Sequence, residues 1–270
     1  MNNTKIEWCD KTWNPVTGCA HGCPYCYAAK IAHRFAGADA ECGNCSISPD
    51  CPGKTAEGKC PDFREYRPSE KIHVLDAKKY GFYPKKHYIA FPYGFEPTLH
   101  RYRLQEPGQE KTPSTVFVCS MADLFGDSIP DEWIFEVFKA CAENPQHRYM
   151  FLTKNPMRYF ALMDSGNLPK SDNMWYGTTI TTETDDYFYA YGYNSFLSIE
   201  PIQGPFSKPF TGIKWAIIGQ ETGNRKERIK ANPEWIDGIY RACSWAGIPV
   251  FMKNNLSGVV ENLIQEDAET

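Results

Sequence analysis

The sequence predicts an α/β protein, a partial or nearly closed parallel βα barrel interrupted by a cysteine-rich insertion. Three observations predict it. Short apolar runs bounded by turn residues recur at 115–119, 148–152, 174–178, 196–199, 214–218 and 249–252. Most of them alternate with stretches of helical period, and strand then helix, repeated, implies parallel strands joined by right-handed crossovers. Most of the runs also end in a cluster of polar residues, as strands do where a parallel sheet presents its ligand-binding rim. No Ser/Gly-rich linker or internal repeat divides the chain, so a single domain over 1–270 is expected.

Taken in order, Lys5–Trp8 and the following Thr12–Pro15 read as a short strand. The loop Thr17-Gly-Cys-Ala-His-Gly-Cys-Pro-Tyr-Cys-Tyr27 comes next. Residues 27–35 then carry Ala28, Ile31, Ala32 and Phe35 at i, i+3, i+4, i+7 spacing, which predicts a helix. The first cysteine loop therefore sits between a strand and a helix. Residues 37–112 read as an insertion after this first βα unit, cysteine-rich to about 70 and basic and aromatic beyond it. After 113 the regular alternation begins, with helices clearest at 131–142 and 233–246 and with Asp131, Asn155, Asn232 and Thr182 as candidate N-caps. Between 196 and 210 too little helix separates two strands, so an irregular connection is expected. Counting the strand before the cysteines gives about seven, which suits a TIM-like barrel, with a doubly wound open sheet as the alternative.

Composition narrows the function classes. Hydrophobic residues at 42% and charged residues at 23% describe an ordinary globular chain with enough apolar side chains for a large core. The start lacks an apolar signal region and no run of 18 or more apolar residues occurs, so a cytoplasmic protein without a membrane span is expected. Eleven cysteines, seven of them between 19 and 60, argue for metal binding in a reducing compartment rather than a disulfide scaffold. A net charge of −4 provides no global attraction to nucleic acid, so any such binding rests on a local patch.

Cys19, Cys23 and Cys26 are spaced C-x3-C-x2-C in a glycine-containing loop, with Tyr25 just before the last thiol. A short loop of this kind turns three thiolates toward one point, and thiolate sets select iron–sulfur clusters and zinc. Three protein thiolates on a cubane leave one iron open for an exogenous ligand. The spacing resembles that of the radical S-adenosylmethionine (SAM) superfamily, in which the open iron of a 4Fe-4S cluster chelates SAM. The alternatives are a zinc knuckle completed by His21 or His33, or thiols that only pack. A second set, Cys42, Cys45, Cys51 and Cys60, is complete in itself and would hold a second metal centre, zinc or an auxiliary iron–sulfur cluster, unless its thiols are free.

From 71 to 103 the chain interleaves Lys71, Lys78, Lys79, Lys85, Lys86, Arg101 and Arg103 with Tyr80, Phe82, Tyr83, Tyr88, Phe91, Tyr93, Phe95 and Tyr102. Cations that meet phosphates and rings that stack on bases would make this a nucleic-acid or nucleotide surface; the plainer reading is a solvated face over a partly buried loop. The polar strand ends are Ser120–Asp123, Thr153-Lys154, Thr179–Glu183, Ser198–Glu200, Gly219–Gly223 and Lys253–Asn255. A carboxylate directly after an apolar strand is harder to assign to solvation, which makes Glu200 and Glu221 the better site candidates.

Beyond the cysteine spacing, Trp13-Asn-Pro-Val-Thr-Gly-Cys19, Pro97-Thr-Leu-His-Arg-Tyr-Arg103, Val118-Cys-Ser-Met-Ala-Asp-Leu-Phe-Gly126, Leu152-Thr-Lys-Asn-Pro156, Leu197-Ser-Ile-Glu-Pro201 and Ile218-Gly-Gln-Glu-Thr-Gly223 resemble the phage-associated three-cysteine-motif proteins, a radical-SAM-like family of unknown function. The resemblance runs from residue 12 to about 255 and implies a radical SAM fold without naming a substrate. It implies that Ser120 and Asp123 replace the usual Gly-Gly-Glu contact to the SAM amino group, that Thr179 or Thr181 faces the ribose, and that Ser198 to Glu200 lies near adenosine. It further implies an electron donor such as flavodoxin or ferredoxin. The reading of the opposite class is a non-catalytic phage or host binding protein stapled by zinc or iron–sulfur.

Overall fold

The computed structural model describes residues 1–36, 72–81, 86–223 and 225–268. The second cysteine set, Cys42, Cys45, Cys51 and Cys60, lies outside the described residues, as do Lys71, Phe82, Tyr83 and Lys85. The elements in chain order are β1 (Asn2–Asn3), β2 (Lys11–Trp13), β3 (Val16–Thr17), α1 (Tyr27–Arg34), β4 (His73–Leu75), β5 (Tyr80–Gly81), β6 (His87–Tyr88), β7 (Thr98–His100), α2 (Glu106–Gln109), β8 (Thr115–Val118), α3 (Asp131–Ala142), β9 (Arg148–Thr153), α4 (Pro156–Asp164), β10 (Met174–Ile180), β11 (Asn194–Ile199), β12 (Trp215–Ile218), α5 (Pro233–Trp245) and β13 (Val250–Met252).

Eight strands form the main sheet in the order β1-β2-β8-β9-β10-β11-β12-β13. Only the β1–β2 pair is antiparallel; every other neighbour is parallel. The sheet is open, with β1 and β13 as its edges. From β2 onward the spatial order follows the chain without reversal, whereas a doubly wound sheet reverses once. Right-handed crossovers that always step to the same side lay their helices on one face.

Packing agrees with that rule. Ile134, Val137 and Cys141 of α3 and Tyr159 and Leu162 of α4 bury against Val116, Val118, Tyr149, Phe151 and Tyr176. Ile236, Ile239 and Cys243 of α5 bury against Leu197, Ile199, Ala216, Ile218, Val250 and Met252. The intervening strand residues, which alternation turns to the other face, form an aromatic floor of Phe117, Met150, Trp175, Phe196, Trp215, Ile217 and Phe251. Each such side chain contributes about 1.5–3 kcal/mol on burial. Gly177 lets this floor close, because a Cβ there would stand 2.2 Å from the Phe196 ring.

Several expectations need correction. Lys5–Trp8 is not a strand: Trp8 packs on the aromatic floor with Ile6 beside it, and pairing falls to β2, three residues further on. The α3 N-cap is Pro130, with Asp131 in the first turn. Asn155 stands at the α4 N-cap without a capping bond, its Nδ2 donating instead to the Phe125 carbonyl and to Asp127. Asn232 does cap α5, accepting the Glu234 N–H at 2.9 Å. Thr182 caps no helix; its hydroxyl donates to Asp185. The connection from β11 to β12 holds no helix, and neither does that from β10 to β11.

Strands β4 and β7, from the stretch between α1 and β8, join β3 in a small sheet of order β3-β7-β4, with β5 and β6 as a separate pair. It rests on the start of the cysteine loop.

Candidate functional site

The cysteine loop is held from two sides by backbone. Gly18 donates its N–H to the Met121 carbonyl at 2.9 Å, and Cys19 donates to the Phe95 carbonyl at 3.2 Å. Gly18 has φ +87°, and a Cβ on it would lie 2.2 Å from the Glu96 carbonyl oxygen, so only glycine passes between these segments. Cys119, at the end of β8, is the single non-glycine residue with positive φ among the described residues (59°), and the turn it makes brings Ala122 into a bridge with Gly18. The loop thus follows the end of β2 and lies beside the end of β8.

Asp123 is the clamp of this arrangement. Its Oδ2 accepts the His21 Nε2–H at 2.8 Å and the Lys154 backbone N–H at 2.9 Å, while Oδ1 accepts the Phe125 N–H at 3.0 Å. The bond from His21 and its charge hold the Asp123 carboxyl below its ordinary range although burial opposes this, and the same bond raises His21. Asp123 is therefore a tie between the cysteine loop, β8 and β9, with both oxygens occupied.

The three thiols differ in setting. The Cys19 Sγ accepts the His21 N–H at 3.5 Å, and the Cys26 Sγ, at the N-cap of α1, accepts the Ala29 N–H at 3.3 Å. Burial, reinforced by the Asp123 charge, pushes the Cys19 thiol up to about 12, and burial also raises Cys23. The Lys154 charge acts on Cys23 in the opposite sense. Backbone N–H donors to sulfur, a helix N-terminus and a nearby ammonium suit thiolate ligation, so the donor set fits an iron–sulfur cluster or zinc. Among the described residues, no group of three or more His, Cys, Asp or Glu side chains stands close enough together to grip one metal ion.

The remaining candidates sit along the carboxyl ends of the strands. Ser120 donates its hydroxyl to Asn14 Oδ1 at 3.2 Å, and its carbonyl accepts the Tyr27 hydroxyl at 2.7 Å. Thr179 is half-buried and Ser198 buried, and alternation sets both on the face of the aromatic floor, in line with Trp175 and Phe196. Thr181 donates both its N–H and its hydroxyl to Asp185 Oδ2, at 2.6 and 3.1 Å, which commits it to the turn. Glu200 accepts the Lys253 ammonium at 2.6 Å, packed so close over Gly219 that a Cβ there would meet Glu200 Oε1 at 2.9 Å. Glu221 is paired in bidentate fashion with Arg225, both contacts at 2.7 Å, and this pairing lowers its pKa.

Lys154 was legible as a strand-end residue but was not among the candidates. Its ammonium lies 5.4 Å from the centre of the Tyr25 ring. Burial lowers its pKa, against the charges of Cys23, Asp123, Asp185 and Glu200. It is a cation shared by the cysteine loop and the rim, and weighing only carboxylates at strand ends passed it over. Tyr25 likewise faces Cys23 and Asp185, which links the loop to the turn after β10.

The basic and aromatic segment divides in two. Arg101 is spent on Asp76 at 3.0 Å and Glu136 at 2.9 Å, Phe91 and Phe95 are buried beside the cysteines, and Tyr93 stacks on His73 at 3.7 Å. Lys78, Tyr88, Tyr102 and Arg103 instead converge on one cavity. Among the described residues no helix is long and apolar enough to cross a membrane. No curated protein and no solved structure matches the chain. Residues 3–261 match the family described as protein of unknown function (DUF5131), and the chain belongs to that family.

Proposed function

We propose that the protein is a radical SAM enzyme of the phage-associated three-cysteine-motif kind, its sheet a partial barrel of that type, working in the cytoplasm on a nucleic acid or nucleotide. The observation that carries the proposal is the C-x3-C-x2-C loop placed after the first parallel strand of a sheet wound in one sense, with a polar rim along the same strand ends. Cys19, Cys23 and Cys26 would hold a 4Fe-4S cluster. The chemistry such a group supplies when bound is one-electron cleavage of SAM to methionine and a 5′-deoxyadenosyl radical, the electron coming from a donor such as flavodoxin or ferredoxin.

The chain's own residues would position and shield. Asp123 fixes the loop through His21 and so sets where the thiols point. Lys154 places a positive charge beside Cys23, which favours thiolate over thiol. Thr179, Ser198 and the Glu200–Lys253 pair offer polar contacts to a ligand lying over the aromatic floor. The floor of Trp175, Phe196 and Trp215 excludes water beneath it.

Anaerobic reconstitution with iron and sulfide tests the proposal. About four irons and four sulfides per chain at this site, visible cluster absorbance and release of 5′-deoxyadenosine from SAM are expected. Cys19→Ala, Cys23→Ala and Cys26→Ala should each abolish that release. A colourless protein that takes up zinc stoichiometrically and leaves SAM intact would establish the non-catalytic, metal-stapled reading instead.

A further inference from the structure

We infer that the protein has a second ligand site, for the phosphate-bearing unit of a nucleotide, in the cavity between the small β3-β7-β4 sheet and the β1 edge of the main sheet. The cavity measures about 300 Å³, and Asn14, Lys78, Tyr88, Tyr102, Arg103 and Met121 are among its walls. This volume is at the lower end for small-ligand pockets and suits one nucleotide unit rather than a duplex.

The argument begins with charge. Arg103 donates to the Asn14 carbonyl at 2.8 Å and to the Tyr88 hydroxyl at 2.6 Å, and its carbonyl accepts the Trp13 indole N–H at 2.9 Å. The guanidinium is therefore fixed in place and half-buried. Yet no carboxylate pairs with it or with Lys78 among the described residues, whereas Arg101, two positions away, is paired with both Asp76 and Glu136. Glu106, the acid in the cavity wall, is held by the Met1 ammonium at 2.7 Å. A half-buried cation with no counter-charge among the described residues is costly unless an anion arrives, and the planar fork of arginine matches phosphate.

The second feature is the rings. Tyr88 and Tyr102 share a hydroxyl contact at 2.9 Å, Tyr88 is 40% exposed, and the Lys78 ammonium lies 6.0 Å from its ring centre. Cations beside an accessible ring face form the combination that takes a phosphate and stacks a base. Ala90, Phe91 and Met121 line the cavity and also pack with Cys19 and Cys26, so this wall separates the two sites. Binding there needs neither iron nor SAM.

Calorimetric titration of the full chain, without metal, with AMP, adenosine, inorganic phosphate and a single-stranded octanucleotide tests the inference. AMP should bind at least about tenfold more tightly than adenosine or phosphate, and more weakly as salt is added. Tighter binding of the octanucleotide than of AMP would identify a nucleic-acid strand as the source of the nucleotide; equal binding would identify the free nucleotide. Lys78→Gln, an exposed change, should weaken AMP about tenfold without altering the melting temperature, and Arg103→Lys should weaken it further. Tyr88→Phe should retain more affinity than Tyr88→Leu. Phosphate binding as tightly as AMP, adenosine binding as tightly as AMP, or unchanged affinity in Lys78→Gln and Arg103→Lys would each overturn the inference. SAM cleavage measured on reconstituted protein stands apart from all of these readouts.

Discussion

Between about pH 7 and pH 4 the protein should lose about 3 kcal/mol of stability through His100 alone. The ring is buried on β7, with Nε2 2.8 Å from the Thr17 hydroxyl and Nδ1 3.3 Å from the Tyr102 hydroxyl. Burial, reinforced by the Arg103 charge, lowers its pKa from 6.5 to about 3. The unfolded chain takes up a proton below pH 6.5 that the folded chain refuses until about pH 3. Over that window the unfolded state binds more protons, so stability rises with pH: it is fully present above 6.5 and is lost progressively as the pH falls toward 3. The whole gap corresponds to about 5 kcal/mol, of which about 3 kcal/mol has been lost by pH 4. Glu221 and Asp185, whose pKa values are lowered in the folded state, also weaken the fold in acid, so the contribution of His100 has to be isolated by difference. Urea unfolding of the parent and of His100→Gln across this range does so. The stability difference between the two should shrink, or reverse in sign, by about 3 kcal/mol between pH 7 and pH 4. Curves that stay parallel to within about 0.5 kcal/mol would refute the reasoning.

Gly18→Ala should cost at least about 3 kcal/mol, since it combines a left-handed backbone with a Cβ driven onto a carbonyl oxygen; a lowered melting temperature together with poor iron loading is the expected pair of readouts. Gly177→Ala should cost about 1–3 kcal/mol by displacing the Phe196 ring, again read by melting, and an unchanged melting temperature would show that the floor yields freely. Replacing Cys45 and Cys51 together should release one metal centre and leave that of Cys19, Cys23 and Cys26 loaded; loss of iron from both would show that they are not independent. Arg101→Gln should leave the salt dependence of AMP binding unchanged, because Asp76 and Glu136 already neutralise that guanidinium, and a flattened slope would place it in the phosphate site instead.

Much of the fold was legible because the signals were periodic. The buried runs from 115 to 252 carry apolar side chains toward both faces, and α3 and α5 show helical spacing, so their positions could be read from hydrophobicity alone. Strands of two or three residues escape such reading. Asn2–Asn3 has no apolar residue, and β3, β4 and β7 are each too short to show a period. The first strand was drawn to include Lys5–Trp8 as well as Thr12–Pro15, because Trp8 and Trp13 look alike in sequence, yet one packs on the floor and the other, in β2, under the helices.

In the site, the cysteine spacing was plain, and the partners that fix it were not. His21 and Asp123 lie 102 residues apart, and no local pattern announces such a pair. Thr181 and Glu221 looked equally open as strand-end polar residues, yet Asp185 and Arg225, four positions on in each case, claim them. Arg101 and Arg103 are indistinguishable in a basic stretch, and only the positions of Asp76, Glu136 and Asn14 separate a spent cation from an available one.

The pairing of β2 with β8 sets an order of events during folding. Thr12 lies opposite Phe117 about 105 residues away, whereas Val116 of β8 lies opposite Tyr149 of β9 at about 33. Closing the longer loop costs about 1 kcal/mol more in chain entropy, for the same number of register positions, three, that β8 shares with β9. Strands β8 to β13 join through short segments and can form a cohesive sheet first. Strand β2, which leads into the cysteine loop and is synthesised before them, would then dock onto a finished edge. Refolding followed by hydrogen exchange should therefore show protection at Val116–Phe151 well before Thr12 and Trp13, and assembly of the proposed cluster would wait for that last strand to arrive.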